Sequence, residues 1–341
     1  MKNKFARLGM ALVLVAVVMI GVYLFNDKKP KEINSRTIKV GYNPESYNQG
    51  PLIIAQEKKF FADNGINIEL VPMKGGKEIK QALSTGKLDI GLGGASNFIP
   101  LISKGAPIKI IAPINLSPAY VFVRPNTLTS FKDLEGKMVG STPGGASEVF
   151  FKDALKKEGV NPDDVKYDPS DSSLFAIALM EKKSLDAVID DEQEYSNYLK
   201  AGAIVLPEWE SKGYAGPRVP RSVIAANTDF LSANKDLANA LLDAVIDGHR
   251  FISDHKTEAA TIMANHCNTA TKGATSFTAE EIEKAWDTKR NVFVIWHNTD
   301  EYVEVSDELQ EIGDVDKKLY AEDIFDMSFR DKLIKAQNSV Y

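Results

Sequence analysis

The sequence predicts an α/β protein built from two similar halves, and two features support this. Two motifs recur at an offset of roughly a hundred residues: Val40-Gly41-Tyr42-Asn43-Pro44 as Val139-Gly140-Ser141-Thr142-Pro143, and Leu88-Asp89-Ile90-Gly91 as Leu185-Asp186-Ala187-Val188. Between the paired motifs, helical and strand periodicities alternate in the same order. This pattern is typical of βαβ units and predicts a mostly parallel sheet flanked by helices in each half.

The composition is that of a globular protein of about two domains. The chain has 341 residues, of which 44% are hydrophobic and 26% charged. A net charge of -6 and the lack of a basic cluster in the body exclude a nucleic-acid surface, because phosphate binding needs clustered Lys and Arg. The single cysteine, Cys267, cannot form an internal disulfide, and we interpret it as a buried apolar side chain.

The N-terminus carries a membrane-targeting pattern. Residues 1–7 are basic, and residues 8–25 form an uncharged run that would span about 27 Å as a helix. The end of this run has no small-residue cleavage site, and no cysteine follows it for lipid attachment. We therefore expect an uncleaved signal anchor, one N-terminal transmembrane helix, followed by a polar linker over 26–36. A signal peptide cut at an atypical site is the alternative.

The first half begins with a predicted strand over 37–42, in which Ile38 and Val40 alternate with polar residues. A helix over 51–64 follows, and Gly65 sits where a left-handed C-terminal cap belongs. The pattern then predicts a strand over 66–71, a helix over 77–84, a strand over 88–92, a helix over 97–104 and a strand over 108–114. Strands joined through helices in this way run parallel.

The second half repeats the pattern after an extended segment over 119–124. We predict strands over 138–139, 165–167, 187–189 and 203–206, and helices over 147–158, 173–181 and 193–199. A strand over 222–227 could return to the first half. Helices follow over 237–254, 256–264, 279–288 and within 307–335, with an aromatic strand over 293–296. This order predicts a discontinuous first lobe, 37–118 and 222–341, and a second lobe, 119–221.

Four motifs carry a family resemblance through their order and spacing. They are Val40-Gly41-Tyr42-Asn43-Pro44, Pro51-Leu52-Ile53-Ile54-Ala55-Gln56-Glu57-Lys58, Gly86-Lys87-Leu88-Asp89-Ile90-Gly91 and Phe131-Lys132-Asp133-Leu134-Glu135-Gly136-Lys137. Over about 38–264 the chain resembles the solute-binding proteins of ABC importers for nitrate, taurine, alkanesulfonates and thiamine-precursor pyrimidines. The resemblance implies a type II periplasmic-binding-protein fold, with a ligand held between two lobes that two crossing segments join.

The same resemblance implies the partners and the location. We expect a small-molecule solute, the permease and ATPase subunits of an ABC importer, and no cofactor. The body is expected at the extracytoplasmic face of the cell membrane, held there by the N-terminal helix, and to be monomeric.

Candidate ligand-binding residues follow the strands, because ligands of open α/β sheets bind beyond the carboxyl ends of the strands. In the first lobe this rule selects Tyr42, Asn43, Tyr47, Gly94, Ala95, Ser96 and Asn97. Glycine lets backbone N–H groups approach a ligand closely. A plain tight turn explains the two glycines equally well from the sequence alone, and the resemblance favours binding.

In the second lobe the candidates are Thr142, Gly145, Ala146 and Ser147, which lead into a helix. The unpaired N–H groups and the dipole of a helix N-terminus attract anions. Ser147 could instead be the N-cap alone. The resemblance places the acidic head of the ligand here. No Gly-Lys-Ser/Thr follows, so the segment is not a nucleotide-binding P-loop.

Asp190 and Asp191 depart from the family pattern, in which a Trp-Glu-Pro-like segment is common and Asp191 occupies the Trp position. A carboxylate at the end of a strand favours a ligand amine. Capping of the helix that starts near Gln193 explains the same residues equally well. If the first interpretation holds, the ligand carries an amine together with a sulfonate, carboxylate or pyrimidine-like group.

Other candidates have weaker support. Tyr214 lies in a Gly-rich loop and is a possible aromatic wall of the cleft, with surface packing as the alternative. Arg124, Arg218 and Arg221 could pair with ligand acids, although arginines usually lie on a solvated surface.

Two other functions compete with solute binding. The first is an enzyme like the thiamine-pyrimidine synthases of the same fold. All four histidines lie in the C-terminal part, so the predicted cleft loops contain neither a histidine base nor a cysteine nucleophile, and we predict no catalytic or metal site. The second is a membrane-tethered ligand sensor, for which the residues before 8 are too few to form a signalling domain.

Overall fold

Two β-sheets flanked by helices form the described part of the chain. The computed structural model describes residues 35–143, 145–169, 175–215, 219–272, 276–287 and 292–341. The predicted signal anchor over 8–25 lies outside these residues. Within them, no helix is both long and apolar enough to cross a membrane.

The strands alternate with helices along the chain as the sequence predicts. They are β1 Thr37–Tyr42, β2 Asn67–Pro72, β3 Ile90–Gly93, β4 Ile108–Ser117, β5 Ala119–Val123, β6 Met138–Gly140, β7 Lys166–Asp168, β8 Ala187–Asp191, β9 Ile204–Val205, β10 Val219–Asn227 and β11 Val292–Phe293.

The helices before β10 are α1 Gly50–Glu57, α2 Phe60–Asp63, α3 Gly76–Ser84, α4 Ala95–Ser103, α5 Ala146–Lys157, α6 Phe175–Met180, α7 Glu192–Lys200 and α8 Pro207–Ser211. Those after β10 are α9 Thr228–Ala233, α10 Lys235–Asp254, α11 Lys256–Thr271, α12 Ala279–Asp287, α13 Asp300–Glu311, α14 Ala321–Ile324 and α15 Arg330–Val340.

The two sheets are mixed, with parallel strands at one side of each. The first has the order β11-β4-β10-β3-β1-β2, and the second has the order β7-β6-β8-β5-β9. β1 runs parallel to β2 and β3, and β6 runs parallel to β7 and β8. β10 runs antiparallel to β3 and β4, while β5 runs antiparallel to β8 and β9. The two copies of each repeated motif therefore occupy equivalent parallel strands. The first motif lies at the end of β1 and again at the end of β6, and the second motif leads into β3 and again into β8.

One predicted helix is broken. The segment 51–64 forms α1 and α2, separated at Lys59, whose φ of 64° is left-handed. The break turns Phe61 into the core, where it is 3% exposed. Apolar periodicity is nearly continuous across the break, so the sequence pattern does not reveal it. The predicted left-handed conformation of Gly65 is confirmed by its φ of 76°, and Gly159 after α5 has a similar φ of 77°.

Each sheet has its own apolar core. Ile38 and Val40 of β1 are fully buried, as their alternation predicts, and Trp209 and Tyr198 are large buried side chains of the second core. Cys267 is buried on α11 with its Sγ atom 3.5 Å from the carbonyl oxygen of Glu45. Burial raises the pKa of this thiol to about 12, consistent with an apolar packing role.

The chain passes between the sheets beside the pairing of β4 with β10. Only Pro118 separates β4 from β5, and β10 starts at Val219, which pairs with Ser117. Along this ladder Pro220 lies opposite Leu116 and Ser222 lies opposite Asn115, so Arg221 is an extra residue, a β-bulge. β10 begins earlier than the predicted 222–227, and Arg221 therefore belongs to a strand of the first sheet.

A substitution at Gly248 tests how closely α10 packs on the start of α1. A Cβ atom at Gly248 would lie 2.1 Å from the carbonyl oxygen of Pro51. We expect Gly248→Ala to lower the free energy of unfolding by about 1–3 kcal/mol, because overpacking outweighs the helix-propensity gain of about 1 kcal/mol. Chemical denaturation of the full chain measures this. Ser253→Ala on the exposed side of the same helix is the control, and equal or greater stability of Gly248→Ala would contradict the packing.

Candidate ligand-binding cleft

Arg221 joins the two halves of the molecule. Its Nη2 donates to Ser147 Oγ of α5 at 2.8 Å, and its Nε donates to Ser117 Oγ of β4 at 3.4 Å. Its Nη1 lies 3.5 Å from a carboxylate oxygen of Asp191, and the Arg221 side chain is 13% exposed. A bulge re-aims a side chain out of the regular ladder, and here the re-aimed guanidinium reaches the start of two helices of the second half. The prediction that arginines here lie on a solvated surface is wrong for Arg221.

On the first-half side, the turn before α4 approaches Arg221. A Cβ atom at Gly94 would lie 3.5 Å from the carbonyl oxygen of Arg221 and 3.4 Å from Asn97 Nδ2. Ala95 is fully buried, and Ser96 is 2% exposed with its hydroxyl unpartnered among the described residues. The side chain of Asn97 instead packs on Gly76, where a Cβ atom would lie 2.5 Å from it. The structure thus places Gly94, Ala95 and Ser96 together, and the Asn97 side chain lies between this turn and Gly76.

On the second-half side, a tight turn precedes α5. The N–H of Gly145 donates to the Thr142 carbonyl at 2.9 Å, and a Cβ atom at Gly145 would lie 2.9 Å from that oxygen. Glycine is therefore required by the turn itself. Thr142 is exposed, while Ala146 and Ser147 are half-buried on the first turn of α5. The N–H groups of such a first turn lack partners within the helix, and its dipole favours an anion.

Asp190 and Asp191 are held by groups of the protein. Asp191 is the N-cap of α7, accepting from Gln193 N at 2.9 Å, and its second oxygen faces Arg221. Asp190 accepts from the Tyr198 hydroxyl at 2.9 Å and from Asp191 N at 2.9 Å. Burial, and then the charge of Asp191, raise the pKa of Asp190 well above its ordinary value. The capping interpretation of Asp191 therefore describes the structure.

Three of the other predicted residues pack within one half. Tyr42 is 6% exposed in the first core, with its ring 5.9 Å from that of His266. Asn43 closes a local turn by accepting from Glu45 N at 3.0 Å, and its own N–H donates to Gln49 Oε1 at 3.2 Å. Arg124 donates to the Leu179 carbonyl at 2.9 Å. Arg218 lies outside the described residues.

Tyr214 is a core residue rather than a cleft wall. It is 8% exposed and packs against Trp209 and Phe131 at ring distances of 5.2 and 5.3 Å. Its hydroxyl donates to Glu158 at 2.9 Å, at the C-terminal end of α5. That end is about 18 Å from the N-terminus of the helix that faces Arg221. The Gly-rich loop suggested exposure, and burial among aromatic rings overrides it.

A cavity of about 450 Å³ lies between α7 and α12, and Tyr47 lines it together with Glu192, Gln193 and Phe277. Tyr47 is 3% exposed, and its ring meets Phe277 edge to face at 5.7 Å. Burial, and then the charges of Glu192 and Asp191, raise the pKa of Tyr47 well above its ordinary value. Tyr47 therefore faces the start of α7 in the other half, as expected of a cleft residue.

A second cavity, of about 180 Å³, lies between α4, α5 and α13. Ser96 and Ala146 line one part of it, and Asp153, Glu304 and Glu308 line another. It therefore adjoins both helix N-termini of the cleft.

Polar contacts bridge the halves beside both cavities. Gln193 Nε2 donates to the Glu45 carbonyl at 2.9 Å, and Lys200 pairs with Glu281. Beside the smaller cavity, Lys156 of α5 pairs with Glu311 of α13 at 2.6 Å. Hydrogen bonds and ion pairs therefore join the two halves beside each cavity.

The histidines lie in the helical C-terminal part, as their sequence positions indicate. His249 is buried, with Nδ1 3.0 Å from the Tyr341 hydroxyl, and burial lowers its pKa to about 3. His297 Nε2 lies 3.3 Å from Glu301, and burial lowers the pKa of His297 as well.

The sequence over residues 46–259, well over half of the chain, matches the family described as NMT1/THI5 like. The chain belongs to the NMT1/THI5-like family. A binding protein of Brucella abortus is 24% identical over 264 residues, which cover 72% of this chain and 79% of that protein. The 4-amino-5-hydroxymethyl-2-methylpyrimidine phosphate synthase THI11 of Saccharomyces cerevisiae is 23% identical over 131 residues, 38% of each chain.

Solved structures show the same fold. The periplasmic aliphatic sulphonate binding protein SsuA of Escherichia coli aligns with a TM-score of 0.70 at 16% identity, covering 86% of this chain and 98% of SsuA. The periplasmic nitrate-binding protein NrtA of Synechocystis PCC 6803 aligns with a TM-score of 0.68 at 15% identity, covering 90% and 89%. This member of the NMT1/THI5-like family therefore has the α/β periplasmic-binding-protein fold that the sequence predicts.

The sequence interpretation did not include three kinds of cleft residue: Ser117 at the end of β4, Gln193 on α7 and the glutamates of α13. Pro118 could have indicated Ser117, because it marks the crossing between the halves. The glutamates at 301, 304 and 308 share one helical face, and the sequence itself shows this spacing. Their position opposite α5 depends on tertiary packing, which the spacing does not show.

The titration of Glu308 tests how buried and charge-crowded the smaller cavity is. Burial, and then the charge of Asp153, raise the pKa of Glu308 to about 8. A raised carboxyl pKa stabilises the folded state below the ordinary pKa, and this stabilisation is lost as pH rises through the folded pKa. We expect the melting temperature of Glu308→Gln minus that of the wild type to increase between about pH 5 and pH 9.

Thermal unfolding of both full-length proteins across this pH range measures the difference. Asp307→Asn, one position along α13 and outside the cavity lining, is the control and should show no comparable trend. A difference for Glu308→Gln that is constant with pH would contradict the buried, charge-crowded environment of this carboxyl.

Proposed function

We propose that this protein is the extracytoplasmic solute-binding component of an ABC importer, and that it captures a small anionic solute between its two halves. The observation that carries this proposal is Arg221. A bulge directs its guanidinium between the halves, where it reaches Ser147 on the first turn of α5. Guanidinium and helix N-terminus both favour a carboxylate, sulfonate or similar anion.

Ser96 supports an anion site on the opposite side. Its hydroxyl is buried and has no partner among the described residues, and it lies on the first turn of α4. A buried hydroxyl without a hydrogen bond costs about 1–3 kcal/mol. A ligand oxygen accepting from Ser96 would remove this cost. The acid of the solute would then lie between the N-termini of α4 and α5, near Arg221.

Residues 37–118 and 222–341 would act as one lobe and 119–221 as the other, with β4 and β10 as the hinge. Arg221 lies on β10 itself, so a solute bound to it is held at the axis of closure. The bridging contacts of Gln193 and of Lys156 would form as the lobes close.

The family and the fold support a proposal about the partners. We propose that the protein is monomeric and delivers its solute to the permease and ATPase of an importer. A structural neighbour from Staphylococcus aureus is described as the ligand binding component of an ABC-type import system, which supports this proposal. The apolar run at 8–25 would hold it at the outer face of the membrane.

Binding without turnover agrees with the groups that meet at Arg221. They are two serine hydroxyls and the carboxylate of Asp191, which already caps α7. The shorter match to the yeast synthase motivates including a pyrimidine among the test ligands.

The proposal predicts thermal stabilisation by a small anion. The full chain in mild detergent should gain several degrees in melting temperature with at least one of nitrate, propanesulfonate, taurine, MOPS, butyrate, 4-aminobutyrate or 4-amino-5-hydroxymethyl-2-methylpyrimidine. A ligand at about a hundred times its Kd stabilises the folded state by about 2.7 kcal/mol. Glycerol at equal concentration is the control. No stabilisation by any compound would contradict solute binding.

Arg221→Gln should weaken the best anion of that panel by at least about tenfold, or about 1.4 kcal/mol, because it removes the positive charge at the centre of the cleft. Isothermal titration calorimetry measures the change. Arg250→Gln removes an exposed arginine that pairs with Asp247 on α10 and should leave the affinity unchanged.

Asp191→Asn is the complementary variant. Asparagine caps a helix as well as aspartate does, so α7 keeps its cap while Arg221 loses its counter-charge. Anion affinity should be kept or should rise. Equal weakening by Arg221→Gln and Asp191→Asn would mean that the site depends on the ion pair rather than on the charge of Arg221.

A further inference from the structure

The smaller cavity has a chemistry opposite to that of the Arg221 site. Its walls carry four carboxylates, from Asp153, Glu301, Glu304 and Glu308, and one ammonium group, from Lys157. Lys157 pairs with Asp153 at 2.6 Å. His297 contacts Glu301, but burial lowers the pKa of this imidazole and so favours its neutral form. Carboxylates therefore outnumber ammonium groups by four to one in the cavity wall.

Two glutamates of α13, the exposed Glu304 and the half-buried Glu308, contribute to this acidic wall. Glu304 and Glu308 form no salt bridge within the described ranges, and they lie on one face of the helix. Crowding with Asp153 and burial both disfavour the ionised form of Glu308. A cation placed here would relieve that cost.

The cavity also contains an unsatisfied donor at its other end. Ser96 lines it, is 2% exposed, and its hydroxyl has no partner in the part of the chain that the structure describes. This buried hydroxyl is a second, independent sign that a ligand group belongs in the cavity. An anion accepting from Ser96 and a cation among the glutamates can therefore be parts of one molecule.

The wall between the two ends is apolar. Val149 and Phe150 of α5 and Val305 of α13 line it. From Ala146 to Asp153, along α5, the distance is about 10 Å at roughly 1.5 Å per residue. This separation suits a flexible chain of several methylene groups.

The cavity lies between elements of both halves. α5 belongs to the second half, whereas α4 and α13 pack on the first sheet through the cluster that contains Phe98, Ile110 and Tyr302. Val149 of α5 joins the same cluster. A ligand group in this cavity would contact both halves and would favour the closed arrangement.

We propose that this cavity is a subsite for an organic cation, so that the solute carries an acid near Arg221 and an ammonium or amidinium group among Glu304, Glu308 and Asp153. The inference rests on the proposed solute-binding function and names the class of solute. No three His, Cys, Asp or Glu side chains in the described ranges are arranged to hold a metal ion, which favours an organic cation here.

Matched ligand pairs test the subsite. Calorimetry on the full chain in mild detergent, at about pH 8.5 so that Glu308 is ionised, compares ω-amino acids from β-alanine to 6-aminohexanoate with the alkyl acids that lack the amine. We expect at least one length at which the amino acid binds about tenfold more tightly than its partner. The Glu304→Gln/Glu308→Gln variant should bring this ratio close to one and keep the affinity for the alkyl acid within about twofold.

The control is Asp307→Asn, which removes a carboxylate of α13 outside the cavity and should keep the ratio. Thermal unfolding of each variant establishes that it is folded. The subsite is overturned if no length shows an amine preference, or if the preference persists in the double variant. In both cases, binding of nitrate, a sulfonate or the pyrimidine would leave the proposed function standing. Failure of every anion to bind would overturn both.

Discussion

The antiparallel pairing of β4 with β10 is the constraint on which the two-half architecture depends. The chain crosses between the two halves twice, and this pairing holds the two crossings side by side. Only one residue separates β4 from β5, and β10 begins opposite the end of β4. The same ladder contains the bulge that turns Arg221 between the halves. A single irregular pairing thus fixes where the chain crosses and which charge stands at the crossing. Because β10 lies between α4 and α5, the N-termini of both helices lie near Arg221.

Charge is distributed unevenly around Arg221. Close to Arg221, the carboxylates are occupied: Asp191 caps a helix, and Asp190 accepts from a tyrosine hydroxyl. Farther along α5, the glutamates of α13 crowd one another, and burial disfavours the ionised form of Glu308. The molecule therefore places a guanidinium at the strand ends and a group of carboxyl side chains beyond them. A solute with charges of both signs would match this arrangement better than a simple anion.

Local signals in the sequence predicted the order of strands and helices, the left-handed glycine at 65, and the equivalence of the two repeated motifs. These features depend on neighbours a few residues away, so periodicity and turn chemistry suffice. The failures have long-range causes. Lys59 breaks a helix so that Phe61 can enter the core, and Tyr214 is buried by aromatic rings from three other segments.

The cleft was predicted less completely than the fold for the same reason. The rule about strand ends selected Gly94, Ser96 and Ser147, and the structure places Gly94 and Ser147 beside Arg221 and Ser96 at the adjoining cavity. It could not identify Arg221, whose orientation depends on a bulge in a pairing between distant segments. It also placed Tyr42 at the ligand, although the ring turns back into its own core. A strand end presents alternating directions, and the sequence alone does not show which side chain faces the gap.

The buried thiol of Cys267 has a practical consequence for spectroscopy. It is the single cysteine of the chain, enclosed in the first core and held in its protonated form at ordinary pH. Thiolate is the species that reacts with maleimides and iodoacetamides, so the native protein should resist these reagents. A cysteine introduced at the exposed Thr142 would then carry a fluorophore selectively, without removal of the native residue. Its emission would report lobe movement in real time.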